Sequence, residues 1–222
     1  LSFCLALGLT LCVAPVLGQT ADSGTQAEAD SEAGADFVPP SDGPPGDRAG
    51  AGTRAVSGAS GPLTIIAPEG GGLTTLAAPP LIWRLSEAVA GDILAGIADT
   101  DPSGPAVKGS FRGPFAKGLY AIDLRRSEMR LVEGHIYRFT VSVIDPGGRA
   151  LAEASTFVER TLGTRTDQAT TPGDEVELLK QAAGAGLWFD ALALVVEPDL
   201  SGRARVVCEA EYDRLLRSAG VQ

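Results

Sequence analysis

Residues able to do chemistry are few in this chain, and they are scattered. His135 is the only histidine among 222 residues. As the general base of a Ser-His-Asp hydrolase it would need Ser142 or Ser155 as nucleophile, and no Gly-x-Ser-x-Gly elbow surrounds either serine. Nothing in the pattern places a carboxylate to orient its ring, so His135 reads as a surface or turn residue. His135 and Cys208 alone cannot fill a tetrahedral zinc site. Carboxylate pairs such as Asp99/Asp101 and Glu153/Glu159 lack the apolar setting that would split their pKa values for acid–base work, and read as solvated faces. The expectation is a chain with no catalytic residues, no cofactor and no metal, save one weak calcium candidate. Asp99, Asp101 and Ser103 occupy the first three ligand positions of a calcium loop, with Gly104 at its sharp turn. Ser110 stands where the bidentate Glu belongs, and Pro102 stiffens the loop, so any affinity should be millimolar or weaker. The same residue types suit a turn between strands.

Charge excludes one class of partner. The chain carries 28 acids against 18 bases, a net charge of −10. Five of those acids (Asp22, Glu28, Asp30, Glu32 and Asp36) lie in residues 19–36, which contain no base. The remainder is only mildly acidic and shows no basic stripe able to neutralise phosphates, so nucleic acid is not an expected partner. Cys4 and Cys12 sit in an N-terminal apolar segment, which leaves Cys208 alone in a mature chain and no internal disulfide. Cys208 falls on the apolar face of an expected helix and reads as a buried structural thiol.

Residues 1–18 are apolar and uncharged and end in Val16-Leu17-Gly18, which suits cleavage before Gln19. Without Met or a basic n-region, this reads as a signal peptide truncated at its start. It is short for a span and no stop-transfer charges follow, so no stable membrane span is expected after cleavage. The protein is therefore expected to be exported, periplasmic or extracellular. Residues 19–36 hold only small and polar types and read as a disordered acidic linker. Residues 37–62 form a Pro/Gly-rich, irregular lead-in. They contain no phosphate-cradling loop, because no strand precedes the glycines and no Gly-Lys-Ser/Thr closes them.

The elements that must position everything else follow. Ile136–Ile144 alternates Tyr137, Phe139, Val141 and Val143 with Arg138, Thr140 and Ser142, the period of a strand with one dry and one wet face. Asp145-Pro146-Gly147-Gly148 is a turn, and 155–161 can return as its antiparallel partner. Further short apolar runs at 63–67, 81–86, 93–98, Ala106–Phe111 and 119–124 complete a set of seven. The reading is α+β: an antiparallel β-sandwich, Ig-like in outline, over 63–162. A loop at 163–173 then leads to a small C-terminal helical hairpin, a three-helix appendix over 174–222. Its helices are read at 174–183, 187–197 (stopped by Pro198) and 205–218. The appendix carries Trp188, Phe189, Leu192 and Tyr212, more large apolar groups than three short helices can hide among themselves. Part should rest on the sandwich, and these four are the expected partner-binding residues.

A resemblance runs the length of this pattern. Phe37-x-Pro39-Pro40, then Gly43, Pro45, Arg48 and 50–54, resemble the opening of the bacterial domain-of-unknown-function family numbered 928. Leu63-Thr64, Ala67-Pro68-Glu69, Gly72-Leu73-Thr74 and Pro79-Pro80-Leu81-Ile82-Trp83 are similar to its next blocks. Gly186-Leu187-Trp188-Phe189-Asp190-Ala191-Leu192 and 215–221 are similar to its closing block. Where members often carry Cys-Asp after the long central strand, this chain has Ile144-Asp145. The resemblance implies the architecture and an exported location, and no activity. The functional expectation is an exported, non-catalytic envelope module of unknown function that binds a protein or a glycan. The alternative is a small exported hydrolase using carboxylates or His135.

Overall fold

Alternation of apolar and polar residues builds most of the molecule. The computed structural model describes residues 34–49, 61–163 and 174–221. A short helix α1 (Pro45–Arg48) precedes strands β1 (Leu63–Ile65), β2 (Gly72–Thr74), β3 (Pro80–Leu85), β4 (Asp92–Asp99), β5 (Ala106–Phe111) and β6 (Gly118–Asp123). A 3-10 turn, Leu124–Arg126, leads to β7 (Ile136–Ile144) and β8 (Ala150–Arg160). Helices α2 (Asp174–Gly184) and α3 (Trp188–Val195), strands β9 (Val196–Pro198) and β10 (Ala204–Val206), and helix α4 (Glu209–Ser218) complete the elements of the described residues. The protein is α+β, with mostly antiparallel sheets, and the longer helices of the described residues lie near the C-terminus.

β7 is central because both of its edges are paired. A five-stranded sheet runs β2-β8-β7-β4-β5, antiparallel except for β2 beside β8. Tyr137, Phe139, Val141 and Val143 are buried on one face, together with Ile93, Ala95 and Ile97 of β4 and Ala152, Ala154 and Val158 of β8. A three-stranded antiparallel sheet, β1-β3-β6, supplies the other wall. Its Trp83 meets Phe139 and Phe111 at ring-centroid distances of 6.4 and 6.2 Å, so residues of both sheets share one apolar cluster. At the start of β7 the Tyr137 hydroxyl accepts the Val132 amide at 2.8 Å, tying the strand to the chain just before it.

The second face of the five-stranded sheet is drier than alternation alone implies. Arg138 pairs across the ladder with Phe157, and its guanidinium lies 5.1 Å from the Phe157 ring centroid. Phe157 is only 1% exposed, because the lead-in lies over it. Gly46, in α1, donates its amide to Gly70 at 2.8 Å and approaches the Phe157 ring so closely that a Cβ would touch it. Gly71 has φ +101°, and a Cβ there would fall 2.2 Å from the Phe157 carbonyl oxygen. Only glycine lets the chain turn into β2 at that spacing.

Several boundaries differ from those read in the sequence. β8 begins at Ala150 rather than 155, since Asp145 and Arg149 close a tight turn (N–O 2.9 Å) and pairing resumes at once. The second C-terminal helix stops at Val195. Val196–Pro198 then forms a hairpin with Ala204–Val206, its turn organised by Asp199, which accepts the Ser201 and Arg203 amides. The last helix therefore starts at Glu209, and Cys208 is its half-buried N-cap residue rather than a member of its apolar face. Pro45–Arg48 is helical where an irregular lead-in is read.

The acidic segment is also fixed at its end. Ala35 is buried and its amide faces Glu211, the Phe37 amide donates to Ser218 Oγ at 2.8 Å, and the Val38 amide donates to the Ala183 carbonyl. Phe37 packs edge-on against Trp188, with ring centroids 5.2 Å apart. Residues 35–38 thus bind all three longer helices, and the reading of disorder does not hold for Ala35 and Asp36. The signal peptide expected at 1–18, most of the linker expected at 19–36, residues 50–60 and nearly all of the expected 163–173 loop lie outside the described residues. Among the described residues no helix is long and apolar enough to cross a membrane.

Candidate functional site

The structure separates the residues that a hydrolase would need to bring together. His135 precedes β7, whereas Ser142 lies seven residues along it, roughly 23 Å away at strand rise. Ser155 pairs with Thr140 and is roughly 16 Å from His135 by the same measure. Ser142 instead donates to Glu153 at 3.0 Å, and Glu159 is engaged by Arg48 at 2.8 Å. Glu153 and Glu159, six residues apart on β8, cannot act on one bond. One sequence reading is overturned here. His135 does have an orienting carboxylate, because pairing of β4 with β7 brings Asp99 Oδ2 within 2.7 Å of its Nδ1. Asp99 is nearly buried at 2% side-chain exposure, while the imidazole remains 44% exposed.

The Asp99–Gly104 loop uses its oxygens internally. Asp99 Oδ1 accepts the Asp101 amide, and Asp101 Oδ1 accepts both the amide and the hydroxyl of Ser103. Those Ser103 donors hold the Asp101 carboxyl below its ordinary range. Among the described residues no cluster of three or more His, Cys, Asp or Glu side chains is disposed around a common point. The expected partner-binding residues lie inside the fold. Trp188, Phe189 and Leu192 are 0% exposed and Tyr212 is 7% exposed. The correction has a plain cause. α3 lies against β2 and β3, the indole of Trp188 donates to the Ile66 carbonyl at 3.0 Å, and residues 35–38 cover what the sheets leave open.

A further concavity among the described residues lies elsewhere. A cleft of about 940 Å³ opens between the end of β8, the residues after β6 and the outer side of α3 and β9. Four arginines line it: Arg125, Arg126, Arg130 and Arg160. Local sequence explains their arrangement. Asp123 caps the 3-10 turn by accepting the Arg125 amide at 3.1 Å, and Leu124, Met129 and Leu131 are buried anchors that leave the intervening arginines outside. Arg125 forms two bonds to the Asp123 carboxylate (2.8 and 3.0 Å), and Arg126 shares the same carboxylate at 3.4 Å. Arg130 directs Nη1 at the carbonyls of Leu124, Ser127 and Met129, and Arg160 binds the Leu131 carbonyl and Glu133. Asp190, 1% exposed in the first turn of α3, lines the inner end and accepts the Thr74 hydroxyl and the Thr75 amide and hydroxyl.

A scan against protein-family models decides the relationship: the model described as Domain of Unknown Function (DUF928) matches residues 49–222. The chain belongs to that family. The match takes in every strand and the three longer helices, while Phe37 and α1 precede it. No curated protein matches the chain. The DUF928 chain thus presents its cleft without an inherited activity to read into it. Neither the arginine group nor Asp190 stands out in the sequence. The available signals were Arg125-Arg126 followed at Arg130, and an acid inside the otherwise apolar run 187–195.

One pH dependence follows from this geometry. Burial alone would raise Asp123, but the hydrogen bonds and charge of Arg125 and Arg126 outweigh it and hold the carboxyl below its ordinary value. A carboxyl lowered by folding stabilises the protein above its unfolded pKa, about 3.9 for Asp, and that stabilisation is lost as pH falls through the folded value. Denaturation midpoints should therefore decline more steeply below about pH 4 in the natural chain than in Asp123→Asn. Equal slopes would show that Asp123 is not held by the arginines in solution.

Proposed function

We propose that this chain is an exported, non-catalytic binding module of the bacterial envelope, periplasmic or extracellular, that takes a protein or glycan partner in the arginine-lined cleft. The observation that carries this reading is the cleft itself. It is large enough for a ligand, and it is lined by long cationic side chains on a braced loop. Supporting it is the scaffold, which we read as an Ig-like β-sandwich. β1 joins the β3-β6 edge and β2 joins β8 in parallel, so the first strand region divides between the two sheets. The β8-β7-β4 order corresponds to the G-F-C order of such domains, and Tyr137 bonds back to the chain as a tyrosine corner does. Sandwiches of this kind serve many unrelated functions, so the cleft and not the fold bears the functional argument.

A second reading rests on a specific observation. The His135–Asp99 pair lies in a shallow hollow with Arg48, and its imidazole is oriented as a general base would be. The hydroxyl lining that hollow, Thr100, donates to the Ile136 carbonyl at 2.9 Å and is not poised as a nucleophile.

The test is retention of the purified chain on an isolated envelope fraction, run beside assays of ester and glycoside cleavage. Retention without cleavage is expected, along with a recovered N-terminus at Gln19. Cleavage that disappears in His135→Ala would overturn the binding-module reading in favour of a hydrolase, and an intact membrane-embedded Leu1 segment would overturn the export reading.

A further inference from the structure

Charge in the cleft is unevenly compensated. Arg160 is balanced by Glu133 at 3.1 Å, and Glu197 at the rim by Arg205 at 2.6 Å. Asp123 alone serves both Arg125 and Arg126. Arg130 has no carboxylate within ion-pair distance among the described residues, although its Nη1 is braced on three backbone carbonyls. Bases and acids are equal in number along 123–133 (Arg125, Arg126 and Arg130 against Asp123, Glu128 and Glu133), so the unmatched positive charge is local to Arg130. That charge is held on a guanidinium, whose planar fork matches the two oxygens of a carboxylate or phosphate. Bracing by the loop reduces the ordering cost of binding. The remaining walls come from small or aliphatic groups such as Ala77, Ala78, Pro80 and Leu194, and among the described residues no aromatic ring lines the cleft on which a neutral sugar could stack.

Resting on the binding-module reading above, we propose that the cleft is an oxyanion receptor, in which Arg126 and Arg130 hold a ligand bearing two or more carboxylate or phosphate groups. Arg125, already committed to Asp123, positions Arg126 by occupying one side of the shared carboxylate. The aliphatic wall of Leu194 and Pro80 accepts the carbon skeleton between the charges. A neutral ligand of the same size would leave the Arg130 charge without a partner, and this is the basis of discrimination.

Calorimetric titration of the full chain at low salt with citrate, tripolyphosphate and a galacturonate trimer tests the proposal and separates the carboxylate, phosphate and acidic-sugar sources. At least one probe should bind at a single site, with affinity falling as salt is raised. Arg126→Gln should weaken that probe by about tenfold, the loss of one charge-assisted contact. Arg149→Gln, on the exposed β7–β8 turn, should leave binding unchanged. Because Arg130 also braces its loop, it is tested as Arg130→Lys, which keeps the charge but loses the fork, with thermal melting confirming the fold. Absence of binding by all three probes, or affinity indifferent to Arg126→Gln and to salt, would overturn the proposal. If the Arg126→Gln chain is retained on the envelope fraction as well as the natural one, the cleft assignment fails while the binding-module reading stands. If the natural chain is not retained either, that reading fails with it.

Discussion

Phe139→Ala should cost about 3–5 kcal/mol of folding stability, whereas Arg138→Ala, one residue away, should cost about 1 kcal/mol or less. Phe139 is fully buried at the middle of β7 and touches Trp83 across the space between the two sheets. Truncation would open a cavity where walls from both sheets meet, and neither sheet can move in without breaking register with its neighbours. Arg138 lies on the other face, where it covers Phe157 with a cation–π contact whose loss is small at a half-exposed site. For a domain whose total stability is typically 5–15 kcal/mol, the first substitution removes a large fraction and the second does not. Denaturant midpoints of the two variants, at unchanged slope, measure the difference. Similar losses in both would mean that the facing of β7 is inverted or that the sheets do not share a core.

Much of the fold is visible in the sequence, because alternation reports directly on which face of a strand is dry. Ala106–Phe111 and Ile136–Ile144 have in the structure the bounds that their patterns imply. Three-residue strands such as β2, β9 and β10 are too short to show a period, and they exist because of their partners: β2 because Gly71 and Gly72 let it approach β8 and Trp188, β9 because Asp199 closes a hairpin. A second kind of feature was hidden because it is non-local. The pairing of β4 with β7 brings Asp99 to His135, and no spacing in the chain announces that meeting. The sequence shows more large apolar side chains on the C-terminal helices than those helices can hide, and the structure buries them. What covers them could not be seen, since Phe37 looks in sequence like the first residue after a tail, whereas in space it closes over Trp188. The cleft arginines were lost for a similar reason. Spread among 18 bases in an acidic chain, they form a group only once Leu124, Met129 and Leu131 are buried.

Asp190→Ala should be the most damaging change at the cleft, lowering stability by about 3 kcal/mol or more. Asp190 is a nearly fully buried carboxylate that joins α3 to the last residue of β2 and the one after it, taking the Thr74 hydroxyl at 2.6 Å and the Thr75 amide at 3.0 Å as well as the Thr75 hydroxyl. Its position in the first turn of α3 adds the favourable field of a helix N-terminus to those bonds. Removal leaves at least one buried amide and two hydroxyls without their acceptor, and each stranded group costs about 1–3 kcal/mol, reduced where water from the cleft can enter. Asp190→Asn keeps one acceptor oxygen and should lose less. Coupling identifies the mechanism: in an Asp190→Ala background, Thr75→Val should cost much less than in the natural chain, since the bonds it would break are already gone. The cleft supplies an independent sign. If the fold survives, Asp190→Asn removes a negative charge from the inner end and should strengthen binding of an anionic probe while weakening the fold, a combination that simple unfolding cannot produce. A stability loss below about 0.5 kcal/mol, the range of an ordinary surface change, would show that the two threonines find other partners and that Asp190 is not what fastens α3 to the sheet.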